Sequence, residues 1–473
     1  MTRGLTFSQL AEGLLLGAVA VCALVMSAPP DTYWHLRAGQ EIWQTGHVPL
    51  IDHYSYTANG HAWPNHEWLW QALSYALYRC GGFPLLVAGG AAIVTGGVAV
   101  MWRLMVGPPA VRGLLLLVGL PLVSLSWSLR PQLITQLLLL VLLWLVIHER
   151  YRWLPFLFVL WANAHGAVAM GGFLLAALTG VALVRARRGS PADVSRARTL
   201  VIVTILSGLG TLITPLRARL WTEIVESIHT SREIGIVEWK SALELGAFQI
   251  TFWVLAAAFF AVVLVQRRRL RDMSWADCVL VTAALATFPL AVGAVRNAAL
   301  FLLVAIPAAS RLLGPGVRLG RAAGASPERP RLNALLFAVV LAGEALVVVA
   351  AWREPHPNLN WHPISDGALA ALRACPRELY NRYNDGGYLV WLVPEKPVFV
   401  DARQDSYPTA FLKEGAAVQH GAPYAPLFRR FGIGCAFLPA DDGLVERLRT
   451  DGWQTAYADH RWAVLTAPAG PAP

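Results

Sequence analysis

Charged residues are scarce in this chain. Only 14% of its 473 residues are Asp, Glu, Lys or Arg, whereas 56% are hydrophobic and the mean hydropathy is +0.49. Soluble globular domains carry about a quarter charged residues, so this composition excludes a soluble protein. Apolar runs such as 137–147, 252–265 and 335–351 recur along the chain. Because a segment in lipid must satisfy its own backbone hydrogen bonds, these runs predict an α-helical polytopic membrane protein.

The chain also lacks the short motifs of soluble nucleotide-binding, metal-dependent and hydrolytic enzymes. It contains no GxxxxGK[ST] loop, no CxxC pair, no HExxH and no GxSxG, and no GxGxxG follows a predicted strand. A soluble nucleotide-binding module is therefore not expected. Any group that the protein transfers is expected to arrive on a lipid.

Cysteine is rare as well, with five residues in the chain. Cys22, Cys80 and Cys278 fall in or beside apolar runs and are expected to be packing residues. Cys375 and Cys435 both lie in the C-terminal segment, where an oxidising compartment would permit a disulfide between them. Their spacing alone does not decide whether that bond forms.

The net charge of +10 does not indicate a nucleic-acid partner, because the basic residues concentrate in short loops between apolar runs. They form three arginine-rich groups, at 185–198, 267–271 and 311–331. By the positive-inside rule these loops are cytoplasmic, whereas the loop 29–66, which has a single arginine, is external. The sequence thus predicts a multi-pass protein of the cell (inner, cytoplasmic) membrane, with a cytoplasmic N-terminus and an extracytoplasmic C-terminal segment.

The sequence contains twelve candidate spans, but an inside start and an outside finish require an odd number of crossings, so one candidate does not cross fully. The two shortest apolar runs, 67–80 and 153–165, have about 13 residues, against the roughly 20 that a span needs. We therefore expect about 11 transmembrane helices, with 67–80 as a broken or re-entrant helix. The predicted domains are a transmembrane domain at 1–352, with its long first external loop at 29–66, and an extracytoplasmic domain at 353–473.

The composition of the C-terminal segment changes to short apolar stretches separated by Pro, Asp and Gly. The stretches 397–400, 435–438 and 462–465 are typical of buried strands, and 408–419 and 442–450 are typical of helices. Alternating strands and helices predict a small C-terminal α/β domain.

The first external loop holds the clearest candidate for a catalytic site. Asp31 closes the first apolar run and Glu67 opens the next, while His35 lies one helical turn from Asp31 and His66 adjoins Glu67. One carboxylate can act as a general base, and a second can orient the acceptor or bind a divalent cation, Mg²⁺ or Mn²⁺. We therefore predict Asp31, Glu67, His35 and His66 as catalytic residues and Trp34 as substrate-binding. In the alternative, Asp31 caps a surface helix and the aromatic residues form an interfacial belt.

Further polar residues lie at the predicted external ends of spans. A guanidinium there can bind a phosphate of a lipid-linked substrate in bidentate fashion. Taken singly, such residues are also common as satisfied interfacial groups. The candidate substrate-binding residues of this kind are Arg130, Gln132, Asn163, His165, Glu238, Arg296 and Asn297.

Asp401 and Arg403 follow the predicted strand at 397–400. Residues just past the carboxyl end of a strand lie where α/β sheets usually bind ligands, so both are candidates for substrate binding. In the alternative, they form an ion pair that stabilises a small domain.

Taken in order, these motifs resemble the C-type (GT-C) membrane glycosyltransferases, the superfamily of oligosaccharyltransferases, protein mannosyltransferases and aminoarabinose transferases. The resemblance is to a bacterial branch of this superfamily and covers most of the chain. It rests on Asp31-x-x-Trp34-His35-Leu-x-x-Gly39, His66-Glu67-Trp68, Arg130-Pro-Gln132, Trp161-Ala-Asn163-x-His165-Gly166, Gly386-Gly387-Tyr388 and Val400-Asp401-x-Arg403-x-Asp405.

The resemblance implies transfer of a sugar from a polyprenyl-phosphate-linked donor to an extracytoplasmic acceptor, which is a lipid, a glycan or a protein, with Asp31 as the base. Many members carry two adjacent acidic residues in this loop, whereas Thr32 follows Asp31 here. The second acidic role therefore falls to Glu67 or to none, and metal dependence stays open. Two other classes are a lipid-linked-sugar or polysaccharide transporter and a non-catalytic membrane scaffold.

Overall fold

A computed structural model of the chain describes residues 5–187, 189–244, 246–314, 329–353 and 357–468. Most of the arginine-rich loop at 311–331 lies outside the described residues. The helices are α1 (Phe7–Leu24), α2 (Pro30–Thr45), α3 (Trp68–Leu104), α4 (Pro109–Ser124), α5 (Gln132–Ile147), α6 (Leu154–Ala164), α7 (Val168–Ala186), α8 (Pro191–Gly210), α9 (Arg219–Glu233), α10 (Ala247–Val265), α11 (Trp275–Gly293), α12 (Ala298–Leu313), α13 (Pro330–Arg353), α14 (Asp366–Ala374), α15 (Gly386–Leu392), α16 (Thr409–Gln419), α17 (Ala425–Phe431) and α18 (Gly443–Thr450).

The chain is a multi-pass membrane protein, which confirms the class predicted from its composition. Within the described residues, seven helices are long and apolar enough to cross a membrane, and α4 and α5 are shorter apolar helices. The seven are Phe7–Leu24, Trp68–Leu104, Val168–Ala186, Ala247–Val265, Trp275–Gly293, Val295–Leu313 and Pro330–Arg353. Length and composition do not fix which helices cross, so the expected number of about 11 stays a prediction.

The helix α3 joins two of the predicted apolar runs. Its helical geometry is interrupted at Gly81 (φ −159°, ψ 21°) and Gly82 (φ 63°, ψ −156°), and Pro84 follows directly. This kink separates 68–80 from the second half of α3, so the predicted run at 67–80 corresponds to the first half of this helix. The other short run, 153–165, forms the 11-residue helix α6.

The chain divides into two compact units that interleave along the sequence. The first unit comprises Met1–Met26, Pro84–Arg217 and Val237–Pro355, and the second comprises Ser27–Phe83, Ala218–Ile236 and His356–Pro473. In the first unit, α12 packs against α4, α10 and α11, and most of its side chains are buried. The predicted division at residue 352 stays a prediction, although the compact second unit also takes in the first external loop and α9.

The second unit contains a four-stranded mixed sheet. Its strands are β1 (Glu378–Asn381), β2 (Ile433–Pro439), β3 (Gln454–Ala458) and β4 (Trp462–Thr466), in the order β1-β2-β4-β3. The strands β1 and β2 are parallel, and the other two pairings are antiparallel. The predicted strands at 435–438 and 462–465 lie in β2 and β4, and the predicted helices at 408–419 and 442–450 match α16 and α18.

The strand predicted at 397–400 is wrong, because this segment is not part of the sheet. Val398 instead makes an isolated parallel bridge with Ser55 of the first external loop. The Val398 amide donates to the Tyr54 carbonyl (3.0 Å), and the Tyr56 amide donates to the Val398 carbonyl (3.1 Å). The partner of this apolar segment is thus distant in sequence. Two side chains of the same loop also contribute to the hydrophobic core of the second unit. Ala58 is part of this core, and Tyr56 packs against it.

Cys375 and Cys435 form a disulfide in the second unit. Cys375 follows the last residue of α14 and Cys435 lies in β2, with 6.3 Å between their Cα atoms. This separation lies within the range that a disulfide spans. The bond joins α14 to a central strand of the sheet.

Candidate functional site

Asp31 lies in the first turn of α2, in the second unit. Pro29 occupies the N-cap position and Pro30 the first helical position, so the Asp31 side chain is not the helix cap. Proline suits this start because the first backbone N–H groups of a helix have no partner within the helix. The Trp34 indole Nε1 donates to Asp31 Oδ1 at 3.3 Å, and the Asp31 side chain is half-buried. Trp34 thus orients the carboxylate at the start of α2.

Glu67 lies between two histidines. Its Oε2 is 3.8 Å from His35 Nε2, and its Oε1 is 3.8 Å from His66 Nε2. The His35 side chain is buried and packs against Trp34, with 3.6 Å between the ring centroids and 37° between the ring planes. Because His35 lies one turn after Asp31 on α2, the second unit brings the four predicted catalytic residues into one neighbourhood. Their catalytic roles stay predictions.

Close helix packing fixes the position of α2. A Cβ on Gly39 would lie 2.1 Å from the Gln71 carbonyl oxygen, so only glycine fits where α2 crosses the first half of α3. Beside this crossing, the side-chain amides of Asn65 and Gln71 donate to each other at 2.8 and 2.7 Å, and both are buried. This pair anchors the segment that carries Glu67.

The motif Gly386-Gly387-Tyr388 packs against the start of α2. A Cβ on Gly387 would lie 2.3 Å from the Pro30 carbonyl oxygen and 3.2 Å from Trp34 Cδ1. The Tyr388 ring meets Tyr33 edge to face, with 5.0 Å between centroids. The glycine therefore lets the helix α15 support the turn that carries Asp31.

We expect Gly387→Ala to destabilise the fold by about 1–3 kcal/mol, because the added methyl group meets rigid backbone. Melting of the full chain in detergent measures this effect. The matched control is Gly443→Ala, since nothing lies within 4 Å of a Cβ at Gly443. Equal melting temperatures for the two variants would contradict the close packing of α15 on α2.

Asp401 and Arg403 form a buried ion cluster with Asp52 of the first external loop. Arg403 Nη2 lies 2.6 Å from both Asp52 Oδ1 and Asp401 Oδ2, and Arg403 Nε donates to Asp401 Oδ1 at 2.9 Å. All three side chains are 0% exposed. The rings of Tyr54 and Trp63 lie 4.6 and 4.7 Å from the guanidinium carbon. This geometry favours the structural role over substrate binding for Asp401 and Arg403.

Gln404 and Asp405, which follow Arg403, interact with side chains of α9. The Gln404 side-chain amide donates to Ser227 Oγ at 2.9 Å and to Ser231 Oγ at 2.7 Å. The pKa of Asp405 is raised above its usual value, because burial outweighs the lowering by His66 and by a hydrogen bond with Ser227. The segment 400–405 thus ties the first external loop and α9 to the C-terminal segment.

In the first unit, three of the predicted polar residues converge. Arg130 Nη1 lies 3.4 Å from Glu238 Oε2, and Arg296 Nη1 lies 3.1 Å from Glu238 Oε1. Burial raises the pKa of Glu238, but the two guanidiniums lower it more, so the net shift is downward. Arg296 also lies over the Trp239 ring at 4.6 Å. The binding role of this cluster stays a prediction.

The remaining polar residues of the first unit bond within the protein. Asn163 Nδ2 donates to the carbonyls of Val159 (2.8 Å) and Ile213 (2.7 Å), and Asn297 Nδ2 donates to that of Leu290 (3.0 Å). His165 Nδ1 lies 2.7 Å from Thr135 Oγ1. Gln132 is half-buried at the start of α5. These contacts are typical of local structural support, and substrate binding by these residues stays a prediction.

Among the described residues, no three His, Cys, Asp or Glu side chains are grouped so that they could hold a metal ion. Asp31 accepts from an indole, and the two oxygens of Glu67 each face an imidazole. Magnesium sites in enzymes commonly use one or two carboxylates together with water and substrate phosphate, so cation binding by Asp31 and Glu67 stays a prediction.

No protein-family model and no curated protein matches the sequence. Solved structures do match. The Archaeoglobus fulgidus oligosaccharyltransferase AglB, in complex with an inhibitory peptide and a dolichol-phosphate, aligns with a TM-score of 0.56 and 13% identity over 90% of this chain and 69% of its own. ArnT from Cupriavidus metallidurans, bound to undecaprenyl phosphate, aligns with a TM-score of 0.51 and 15% identity over 98% and 97%.

The chain has the GT-C fold. This confirms the resemblance inferred from the order of its motifs. An identity of 13–15% shows the fold alone, so the substrate and the catalytic base need their own evidence.

Sequence reasoning missed residues whose partners are far away in the chain. Asp52 carries no motif of its own, yet it neutralises Arg403. Thr135 lies within an apolar run, but its hydroxyl accepts from Trp161 Nε1 at 2.9 Å and contacts His165. A buried polar residue inside such a run was the available signal, because it needs a partner at that depth.

Proposed function

We propose that the protein is a membrane glycosyltransferase that moves a sugar from a polyprenyl-phosphate-linked donor to an extracytoplasmic acceptor. The observation that carries this proposal is the GT-C fold shared with AglB and ArnT, whose structures hold dolichol-phosphate and undecaprenyl phosphate. A lipid-borne donor also agrees with the lack of a nucleotide-binding motif. The acceptor is a lipid, a glycan or a protein.

Asp31 is the proposed general base. It takes the proton of the acceptor hydroxyl while the acceptor oxygen bonds to the anomeric carbon of the sugar. The bond from that carbon to the phosphate oxygen breaks, and its electron pair leaves with the lipid phosphate. Glu67, with His35 and His66 on either side of it, is proposed to accept a second hydrogen bond and orient the acceptor.

The arginines of the first unit are proposed to interact with the donor phosphate. Arg130 and Arg296 both contact Glu238. A phosphate would compete with Glu238 for their N–H groups. Bidentate geometry makes arginine suited to this exchange.

The proposed topology places the N-terminus in the cytoplasm and residues 353–473 outside the cytoplasmic membrane. In this proposed topology, α1, the second half of α3, α4–α8 and α10–α13 cross the membrane, and the number of crossings is odd. The disulfide between Cys375 and Cys435 supports it, because such bonds persist in oxidising compartments.

Reporter fusions after Gly189 and after Trp352 are expected to lie on opposite sides of the membrane. A phosphatase that folds only outside should be active after Trp352 and inactive after Gly189, and a cytoplasmic fluorescent reporter should give the reverse. If both fusions report one compartment, the topology is wrong, and with it the extracytoplasmic site.

The function is tested with the full chain in membranes and a labelled extract of polyprenyl-linked sugars. Label should pass to an acceptor in membranes that contain the protein and stay on the lipid in membranes that lack it. Movement of the intact labelled lipid between leaflets, without transfer, would instead indicate the transporter alternative. No change in either readout would overturn the proposal and favour a scaffold.

A further inference from the structure

Asp385 is a buried carboxyl that the mechanism above does not use. It lies directly before α15 and is only 9% exposed. Its Oδ2 has no hydrogen-bond partner among the residues that the structure describes. An isolated carboxylate at such a position is costly, so the neutral acid is favoured. A neutral carboxyl has an O–H that it can donate in a hydrogen bond.

The charged groups around Asp385 come from several elements. Arg382 follows β1 and pairs with Asp442, which caps α18, at 2.9 Å. Arg461 precedes β4 and donates to Asn360 Oδ1 at 2.8 Å. Burial raises the pKa of Asp385 to about 7, while the two arginines lower it and Asp442 raises it. With Asp385 neutral, these neighbours leave a positive balance of charge.

Asp385 also shares its surroundings with Asp31. The helix α15 packs on the start of α2, where Gly387 meets Pro30. Burial raises the pKa of Tyr388, Arg461 lowers it, and Asp385 and Asp31 both raise it. Tyr388, which follows Gly387 on α15, thus interacts electrostatically with both carboxyls.

We infer that Asp385 is a further acidic residue of the transfer site, a neutral carboxyl that donates a hydrogen bond to a phosphate oxygen of the lipid-linked donor. This inference rests on the proposed function for the presence of that phosphate. As the bond between the sugar and the phosphate breaks, the electron pair moves onto the phosphate oxygen, and the Asp385 O–H stabilises the growing charge. The acceptor proton goes to Asp31, and Asp385 keeps its own proton.

The charge of the ligand explains why a neutral acid is needed. A carboxylate would repel a phosphate, whereas a protonated carboxyl approaches it as a donor. Arg382 and Arg461 add attraction for the anion without direct contact, since both have partners of their own. Ionisation of Asp385 would reverse this and expel the phosphate.

The test is the affinity of the full chain in detergent for a short-chain polyprenyl phosphate, measured by calorimetry at pH 6, 7 and 8. With a pKa of about 7, most Asp385 is protonated at pH 6 and about a tenth at pH 8. Wild-type affinity is therefore expected to fall about tenfold over this range. The Asp385→Asn variant offers an N–H that does not ionise, so it should bind a few-fold more weakly at pH 6 and lose no comparable affinity by pH 8.

The matched control is Asp441→Asn, which removes an exposed carboxylate from the same unit and should follow the wild type. The second ionisation of the phosphate is common to all three proteins, so only the difference between them reports Asp385. Melting at each pH confirms that every sample is folded.

If the wild type and Asp385→Asn show the same dependence on pH, the inference about Asp385 is overturned. The proposed function fails separately, when the wild type transfers no sugar from the lipid-linked extract. A wild type that transfers sugar but binds the phosphate equally at pH 6 and pH 8 removes the role of Asp385 alone.

Discussion

The Asp31→Asn variant is expected to lose sugar transfer by a factor on the order of 10² or more, because asparagine keeps the shape and polarity of aspartate but cannot accept the proton. The fold should change little. Trp34 Nε1 can still donate to the side-chain oxygen at position 31, and Pro29 and Pro30 begin α2 whatever follows them. Transfer of labelled sugar at matched protein abundance measures the loss.

The control for Asp31→Asn is Asp366→Asn, which makes the same change in the first turn of α14, at an exposed position. Loss of a negative charge near a helix N-terminus costs about 0.3–1 kcal/mol at either position. A fall in activity that appears in both variants would therefore be an effect of the helix charge. Full activity in Asp31→Asn would move the proposed base to Glu67.

The membrane class and the position of the helices follow from the sequence because hydropathy acts locally. A run of apolar residues predicts a helix in lipid whatever the rest of the chain does. Even the two halves of α3 were predictable, since Gly81, Gly82 and Pro84 interrupt the run where the helix kinks. The number of crossings did not follow, because short helices such as α6 fall below the usual length of a span.

The candidate site was predictable where its residues are near in sequence. His35 follows Asp31 by one helical turn, and His66 is next to Glu67 in the sequence. Each of these two pairs is therefore close in space as soon as the local structure forms. That His35 also approaches Glu67 depends on the crossing at Gly39, which the motif contains but does not explain. The predicted topology placed three further residues at span ends on the same side of the membrane, which made their proximity predictable. They are Arg130, Glu238 and Arg296.

Prediction failed where a partner is remote and has no pattern of its own. The segment 397–400 has the composition of a strand, but its backbone partners belong to the first external loop. Likewise, the pairing of Arg403 with Asp52 could not be predicted, because the two residues lie far apart in the sequence. Nothing local distinguishes an arginine that binds a substrate from one that binds a carboxylate hundreds of residues away.

The Arg403→Met variant is expected to lose about 3–5 kcal/mol of unfolding free energy, because it leaves Asp52 and Asp401 buried without a counter-ion. Both carboxylates are 0% exposed, so water cannot replace the guanidinium without opening the structure. Melting of the full chain in detergent, followed by tryptophan fluorescence, should show a large decrease in the melting temperature. Trp63 lies against Arg403 and is one of the 19 tryptophans that contribute to this signal.

The control for Arg403→Met is Arg430→Met, which breaks the exposed pair between Arg430 and Glu414 at 2.9 Å. Exposed pairs contribute about 0–1 kcal/mol, so this variant should melt close to the wild type. Transfer activity then separates the two roles of Arg403. A substrate-binding arginine predicts lost transfer at unchanged stability, whereas a buried counter-ion predicts that stability falls first, and that activity at low temperature follows the folded fraction. The 0% exposure of all three side chains leads us to expect the second result.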